Sequence, residues 1–299
     1  MRLCPYAFVH VSADHDMSDV VLQRRFDRAA DTFDGADFVH RATCDGLLER
    51  LRPINVASGF ILDLGSATGA GSRSLARHFK RSRVTALDLS HAMARKVRQK
   101  RPFLSKISAL QGDARQLPLR DASMDLVFAN LLIPWIEEPE NCFTEVNRVL
   151  KKDGVFAFST LGPDSLSVLR DAWRAIDDES HVHTFADMHL TGDALVRAGL
   201  RDPVLDVDRL TVSYRSTNDL FRDLKNTGAR NCLTGRRRSL TGKDRFRAMN
   251  EKLEALMDDG VLPVELELVY GHAWGGGPQQ RAGEFRLDPA AITRRDHRA

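Results

Sequence analysis

The feature that most constrains the fold is a regular alternation of short apolar segments and amphipathic segments, which begins at residue 59. The apolar segments have the length of strands, and the amphipathic segments show the three- and four-residue spacing of helices. This alternation is typical of a parallel sheet covered by helices on both faces. The predicted elements are strand 60–64, helix 70–80, strand 83–88, helix 91–100, strands 107–111 and 124–130, helix 139–150 and strand 154–160.

Helical spacing also occurs on both sides of this alternating region. Residues 18–52 predict two N-terminal helices that end at Pro53. Residues 216–258 predict further helices, and they lie between a strand near 203–213 and a long last strand at 262–274. The second set of helices is therefore an insertion between two strands of the sheet.

These elements predict a single domain over residues 18–275, with a ligand-binding core at 59–160. We expect the helical insertion at 216–258 to form a lid over the core together with the N-terminal helices. Residues 1–17 and 276–299 have little apolar surface to bury and are expected to be flexible.

Composition excludes several other classes of protein. The chain has 299 residues and a net charge of +3, which is too small to indicate nucleic-acid binding. No segment approaches the roughly 18–20 apolar residues of a membrane helix, and the first residues lack the apolar centre of an export signal. We therefore expect a cytoplasmic protein without membrane or nucleic-acid partners. The four cysteines form no CxxC pair, and no metal site is expected.

A glycine-rich loop follows the first predicted strand directly, in the segment FILDLGSATGAG at 60–71. A loop at this place lets a ligand approach backbone N–H groups closely. The spacing of Gly65, Gly69 and Gly71 is not the GxGxxG of dinucleotide-binding proteins, and no phosphate-binding Gly-Lys-Ser/Thr follows. Asp63 would repel a pyrophosphate but suits an ammonium group, directly or through water, which indicates an amino-acid-like ligand.

Two further carboxylates follow the next two strands. Asp88 ends the second strand and can accept hydrogen bonds from both hydroxyls of a ribose. Asp113 follows the third strand and can accept one from an adenine amino group. Each Asp by itself is explained by a helix cap or a turn, but together with the loop they indicate a nucleoside site at the carboxyl ends of the strands.

In DLGSATG, ALDLS, GDARQLPL and DLVFANLLIPW, residues 59–160 resemble the class I S-adenosylmethionine-dependent methyltransferases. The resemblance implies a Rossmann-like sheet of seven strands with the last one antiparallel, and S-adenosylmethionine as cofactor. The implied cofactor-binding residues are Phe33, Asp63, Gly65, Ser66, Gly69, Asp88, Leu89, Met93, Asp113, Ala114 and Asn130.

Two residues depart from the family pattern. Ala67 stands where the family usually has its middle glycine, and we expect this to cost little because we expect a negative φ there. Phe33 stands where a tyrosine is usual, so its ring can cover the cofactor but no phenol hydroxyl is present.

The segment after the fourth strand bears on the methyl acceptor. It reads Asn130-Leu-Leu-Ile-Pro-Trp and lacks the Asn/Asp-Pro-Pro-Tyr/Phe pattern of enzymes that methylate amide or base nitrogens. No obvious nucleophile or general base stands there, and a carboxylate acceptor would need none, because it is already anionic. We therefore expect catalysis by positioning and desolvation and assign no catalytic residue.

Outside the core, FDRAADTFDGADFVHR, FSTLGPDSL, DLKNTGARN and ELELVYGHAWG resemble the malonyl-acyl-carrier-protein O-methyltransferases of biotin synthesis, over residues 18–275. The resemblance implies esterification of the malonyl carboxylate on acyl carrier protein or coenzyme A. Candidate substrate or carrier residues are Trp135, His189, Arg230, Arg236, Arg237 and Arg238. The arginine triplet could steer an acidic carrier, although a solvated basic loop explains it equally well.

The LGPDSL and DMH segments are also similar to a complex I assembly factor of the same fold that hydroxylates an arginine. This family is the alternative, together with a methyltransferase for another small acceptor or a binding module without activity. The three carboxylates at 63, 88 and 113 argue against a binding module that has lost its cofactor site.

Overall fold

The computed structural model describes residues 19–57, 59–232 and 241–277. Within these ranges the helices are α1 (Asp19–Ala29), α2 (Phe38–Leu51), α3 (Ala70–His78), α4 (His91–Lys100), α5 (Pro139–Val149), α6 (Ser167–Arg174), α7 (Met188–Arg197), α8 (Thr217–Asn226) and α9 (Lys243–Glu254). The strands are β1 (Phe60–Leu64), β2 (Arg83–Asp88), β3 (Ile107–Gln111), β4 (Met124–Asn130), β5 (Leu150–Leu161), β6 (Arg201–Tyr214) and β7 (Leu262–Trp274). None of the described helices has the length and apolarity needed to cross a membrane.

The strands form one sheet of seven in the order β3-β2-β1-β4-β5-β7-β6. Strands β1 to β5 are parallel, and β7 runs antiparallel to both of its neighbours. The prediction of a seven-stranded sheet with an antiparallel last strand is confirmed. The chain leaves β1 towards β2 on one side and returns to β4 on the other, and this reversal of direction opens a crevice at the carboxyl ends of the strands.

Both faces of the sheet are covered, as the apolar strands require. On one face β1, β4 and β5 pack against α5 and α7 through a cluster that includes Phe143, Phe156 and Phe158. On the other face they pack against α2 and α3 through residues such as Leu47 and Leu75. All five of these side chains are at most 2% exposed. The core therefore holds the strand ends rigidly at one edge of the sheet.

Local signals explain where several helices begin. Ser90 begins α4, because its side chain accepts a hydrogen bond from the N–H of Met93. Asp187 and Ser216 cap α7 and α8 in the same way. Each capped helix starts directly after an extended residue.

The helices of the insertion form a smaller core together with α6. Helices α6, α8 and α9 pack around Trp173, Leu220 and Met249 against β7. The end of α8 also touches the N-terminal segment, where the Thr32 hydroxyl donates to the carbonyl of Asn226 over 3.0 Å. The predicted helical character of 216–258 is confirmed for α8 and α9. The predicted flexible ends at 1–17 and 276–299 lie outside the described residues, apart from Gly276 and Gly277.

Candidate functional site

A cleft lies above the carboxyl ends of β1 to β4. Nine predicted site residues line it: Phe33, Gly65, Asp88, Leu89, Met93, Asp113, Ala114, Asn130 and Trp135. Lining residues that the sequence analysis missed include Asp19, Phe26, His40 and Arg115. Below, the acidic end of the cleft means Asp19, Asp88, Asp113 and Arg115, and the aromatic end means Phe26, Phe33, His40 and Trp135.

The glycine-rich loop forms the floor between these two ends. Its N–H groups are used within the protein: those of Gly65 and Ser66 donate to the carbonyl of Leu87 over 2.9 and 3.0 Å, and that of Gly69 donates to the carbonyl of Ser66 over 2.8 Å. A phosphate-binding loop instead aims its N–H groups at the ligand. The loop therefore suits a nucleoside ligand without phosphates.

Ala67 corrects an expectation from the sequence. Its φ is +45°, in the left-handed region, and the flanking Gly65 and Gly69 have φ of +74° and +83°. The expectation of a negative φ at Ala67 is wrong, because the tight strand-to-helix turn requires left-handed backbone at all three positions. For alanine this conformation costs about 1–2 kcal/mol.

Asp88 ends β2 with its carboxylate turned to the loop. One oxygen accepts from the N–H of Ala67 and the other from the N–H of Ser90, both over 2.8 Å. Burial raises the pKa of Asp88 to about 6, against the effect of these two hydrogen bonds. Each oxygen keeps a further lone pair, so the carboxylate can still accept from two ligand hydroxyls.

Asp113 is held by an arginine that the sequence analysis missed. The guanidinium of Arg115 donates to both of its oxygens, over 3.1 and 2.7 Å, and also reaches Asp19 on α1 over 2.5 Å. Burial alone would raise the pKa of Asp113, but the hydrogen bonds from Arg115 hold this pKa below its usual range. The acidic end therefore contains an ion-paired network that ties α1 to the end of β3.

Three predicted cofactor residues, Asp63, Ser66 and Gly69, do not line the cleft. Asp63 is turned towards α3, where it accepts a hydrogen bond from the hydroxyl of Ser72, and burial raises its pKa to about 7. Gly69 lies against the side chain of Val97. Ser66 is buried, and its hydroxyl has no hydrogen-bond partner among the described residues. Contact of these residues with a ligand stays a prediction.

The aromatic end is assembled from segments far apart in sequence. The ring of Phe33 lies 4.9 Å from that of His40, and the ring of Phe26 lies 5.3 Å from that of Trp135. Trp135 also contacts the imidazole of His183, with 5.5 Å between the ring centres. These rings give the cleft an apolar wall beside Asn130.

Two candidate substrate residues do not line the cleft. His189 is exposed in the first turn of α7, because that helix packs on α5 and β6. Arg230 is exposed just after α8. These two predictions of direct contact with the substrate are not supported by the structure. Arg236, Arg237 and Arg238 lie outside the described residues.

His181, His183, Asp187 and His189 lie close together in sequence, just before α7 and in its first turn. Over residues 19–57, 59–232 and 241–277, no group of three or more His, Cys, Asp or Glu side chains is arranged to hold a metal ion. The His181 ring stacks on Trp173, with 3.7 Å between ring centres, and bonds Asp177 over 2.7 Å. These contacts of His181 with Trp173 and Asp177 explain why the segment between α6 and α7 is polar.

The fold and the cleft together define the class. A cleft at the reversal point of the sheet, a loop whose N–H groups at Gly65, Ser66 and Gly69 are used within the protein, and a carboxylate at the end of β2 fit S-adenosylmethionine. These features are those of the S-adenosylmethionine-dependent methyltransferases.

Comparison with known proteins agrees with this class. Residues 62–158 match the family described as "Methyltransferase domain". In fold, the chain is similar to the Haloferax volcanii protein solved in complex with the Trm112 methyltransferase activator, with a TM-score of 0.56 and 19% identity over 87% of this chain and all of the other.

Curated relatives narrow the class to one family. The Malonyl-[acyl-carrier protein] O-methyltransferase of Halorhodospira halophila is 40% identical over 92% of this chain and 95% of its own length. The protein of the same name from Laribacter hongkongensis is 42% identical over 83% of this chain and 86% of its own length. The chain belongs to the malonyl-[acyl-carrier protein] O-methyltransferase family. The methyltransferase interpretation is thereby confirmed, and the hydroxylase-like alternative is not supported.

Proposed function

We propose that the protein transfers a methyl group from S-adenosylmethionine to the free carboxylate of malonyl-acyl-carrier protein. One observation of the structure carries this choice of acceptor. Within the described lining of the aromatic end, His40 is the titratable side chain, and burial lowers its pKa to about 4. So weak a base does not activate a neutral hydroxyl or amine, whereas a carboxylate is already deprotonated at neutral pH.

The acidic end would hold the nucleoside of the cofactor. Asp88 accepts the ribose hydroxyls with its remaining lone pairs, and Asp113 accepts the adenine amino group beside Arg115. Leu89, Met93 and Ala114 pack around the base, as their place in the wall allows. When bound, S-adenosylmethionine supplies a methyl group on a positively charged sulfur.

The amino-acid part of the cofactor would lie over the glycine-rich loop. Gly65 forms the floor there, and the Ser66 hydroxyl gains the hydrogen-bond partner that it lacks. Asp63 acts from behind the loop, through water, on the ammonium group. The Phe33 ring covers this part of the cleft.

The aromatic end would position the malonyl group. Phe26 and Trp135 exclude water, which leaves the carboxylate oxygen poorly solvated and reactive. A bidentate arginine clamp would occupy both carboxylate oxygens, but the arginine of the described lining, Arg115, is paired with Asp19 and Asp113 at the opposite end. Orientation through one oxygen leaves the other free to attack.

The helical insertion would cover the cleft and receive the carrier. The contact between Thr32 and Asn226 and the packing of Gly228 against Phe26 place the end of α8 beside the aromatic end. Arg230 and the triplet Arg236 to Arg238 would attract an acidic carrier protein from this side. Coenzyme A shares only the pantetheine arm, so it is expected to be the poorer carrier.

Mass spectrometry tests the proposal directly. Malonyl-acyl-carrier protein and malonyl-coenzyme A are each incubated with the protein, with and without S-adenosylmethionine. A cofactor-dependent gain of about one methylene mass on the malonyl group is expected, and faster on the carrier protein. Acetyl-acyl-carrier protein, which has no free carboxylate, is the control and should gain none. Absence of the gain on both malonyl thioesters, with cofactor binding shown by calorimetry, would contradict the proposal.

A further inference from the structure

His40 is held rigidly at the aromatic end by its own backbone. It lies on α2, and its carbonyl accepts a hydrogen bond from the side-chain amide of Asn130 over 2.8 Å. The other side of that amide is fixed as well, because its oxygen accepts from the hydroxyl of Ser159 over 2.8 Å. The backbone of His40 is therefore anchored between α2 and the end of β4, and its imidazole lies beside the ring of Phe33.

One nitrogen of this imidazole is left without a partner. The Nδ1 atom of His40 is buried and makes no hydrogen bond with any described residue. Such a group costs free energy unless something in the cleft pairs with it. The side chain lines the cleft, while the Nδ1 atom itself is enclosed, so a ligand pairs with Nδ1 when the ring turns towards the cleft.

The charge state of His40 limits what it can do. Burial lowers its pKa to about 4, and the nearby charge of Asp37, which would raise it, is itself shared with Arg41. The ring is therefore neutral at neutral pH and carries one N–H. A neutral donor can orient an anion without cancelling its charge.

Several other donors near this end are already used. The amide of Asn130 donates to the carbonyl of His40, and the N–H of Leu131 is taken by Ser159. The N–H groups of Gly65 and Ser66 are taken by Leu87. A carboxylate that enters the aromatic end can therefore pair with the imidazole N–H of His40, and the indole N–H of Trp135 is a second donor of the same wall.

We propose that His40 Nδ1–H donates a hydrogen bond to one oxygen of a ligand carboxylate at the aromatic end of the cleft. This inference rests on the proposed function, because both ligands of that reaction bring a carboxylate: the malonyl group of the acceptor and the methionyl part of the cofactor. Bonding of one malonyl oxygen leaves the second oxygen to attack the methyl group. His40 is then a binding residue that orients its ligand and transfers no proton.

Three variants separate this role from a structural one. His40→Phe keeps a ring against Phe33 and removes both nitrogens, whereas His40→Asn places a side-chain amide close to the position of Nδ1. His78→Leu, on the exposed end of α3, is the matched control. For each protein we measure the affinity for S-adenosylhomocysteine by calorimetry, the KM and kcat with the malonyl thioester, and the Tm.

The two sources of the carboxylate give different results. If His40 binds the carboxylate of the acceptor, His40→Phe raises the KM for the malonyl thioester about 10- to 100-fold and leaves the affinity for S-adenosylhomocysteine within 2-fold. If His40 binds the carboxylate of the cofactor, His40→Phe instead lowers the affinity for S-adenosylhomocysteine about 10- to 100-fold. Calorimetry detects this loss without any turnover. His40→Asn recovers most of either loss, and His78→Leu changes neither quantity.

The proposal is overturned if His40→Phe, folded as judged by its Tm, changes neither S-adenosylhomocysteine affinity nor the malonyl KM. It is also overturned if the wild type methylates no malonyl thioester and the variant binds S-adenosylhomocysteine normally. Should His40→Phe not fold, ¹⁵N NMR of the wild-type imidazole decides. A shift of the His40 Nδ1 signal on addition of either ligand is expected, and an unchanged signal with both ligands rejects the hydrogen bond.

Discussion

The two ends of the cleft differ in how far the protein has already satisfied their polar groups. At the acidic end, Asp88 is hydrogen-bonded by the loop and Asp113 by Arg115. At the aromatic end the wall is apolar, and the buried Nδ1 of His40 has no described partner. The acidic end is thus organised before a ligand arrives, whereas the aromatic end depends on the ligand to complete it.

The same difference separates features that are common to this fold from features that are particular to this protein. Apart from Asp19 of α1, the acidic end uses residues at strand ends, which any protein of this fold can present to a nucleoside. The aromatic end uses Phe26, Phe33 and His40 from the N-terminal segment, which is added to the common sheet. We therefore expect changes at the acidic end to affect the cofactor and changes at the aromatic end to affect the acceptor.

The largest effect is expected from Asp88→Ala. The variant removes the acceptor for the ribose hydroxyls and also leaves the N–H of Ala67 without its partner. Since each hydrogen bond to a charged group contributes about 1.5–3 kcal/mol, affinity for S-adenosylhomocysteine should fall at least about 100-fold. Calorimetry measures this, with Asp193→Ala on the exposed side of α7 as the control. Equal affinity of wild type and Asp88→Ala would remove Asp88 from the site.

Trp135→Ala should affect the aromatic end of the cleft and leave the acidic end unchanged. The indole packs on Phe26 and His183 in the aromatic wall, and its loss opens this wall to water. We expect the KM for the malonyl thioester to rise about 10-fold, equivalent to about 1.4 kcal/mol, with unchanged affinity for S-adenosylhomocysteine. Phe60→Ala, at the opposite end of β1, is the control. A loss confined to cofactor affinity would show that the two ends are not independent.

Asp63→Asn tests a carboxylate that faces neither end. Burial raises the pKa of Asp63 to about 7, so between about pH 4 and pH 7 the folded protein binds a proton that the unfolded chain does not. The stability that comes from this difference in proton binding is fully present below about pH 4, and it is lost as the pH rises through 7. The variant should therefore gain stability relative to wild type between pH 5 and pH 8, as measured by urea unfolding. A constant difference would show that Asp63 has the same pKa in both states.

Ala67→Gly is expected to have the smallest effect. Glycine adopts the φ of +45° without strain, so the free energy of unfolding should rise by about 0.5–1 kcal/mol. Thermal unfolding measures it, and Ala255→Gly at the end of α9, where the backbone is right-handed, should instead lose stability. A destabilised Ala67→Gly would mean that the packing of the methyl group near Phe33 and Met93 outweighs the strain.

Much of the acidic end could be predicted from the sequence, because its residues follow strands that the hydrophobic pattern reveals. Asp88 and Asp113 were placed correctly at the cleft since parallel strands end at the same edge. The partner of Asp113 was not predicted, because nothing in the local sequence shows that Arg115 turns back onto it. The φ of Ala67 was predicted wrongly for a similar reason, since the sequence shows the residue and not the turn.

The sequence by itself determined the sheet, its covering helices and the family, because hydrophobic periodicity and short motifs are local properties of the chain. Only the tertiary structure decided that α1, the turn at Phe33 and α2 meet the end of β4 and put Phe26 and His40 into the cleft wall. It also decided that Asp63 turns to Ser72 and that His189 stays on the surface. Contacts between segments far apart along the chain depend on how complete helices pack, and no local pattern records that packing.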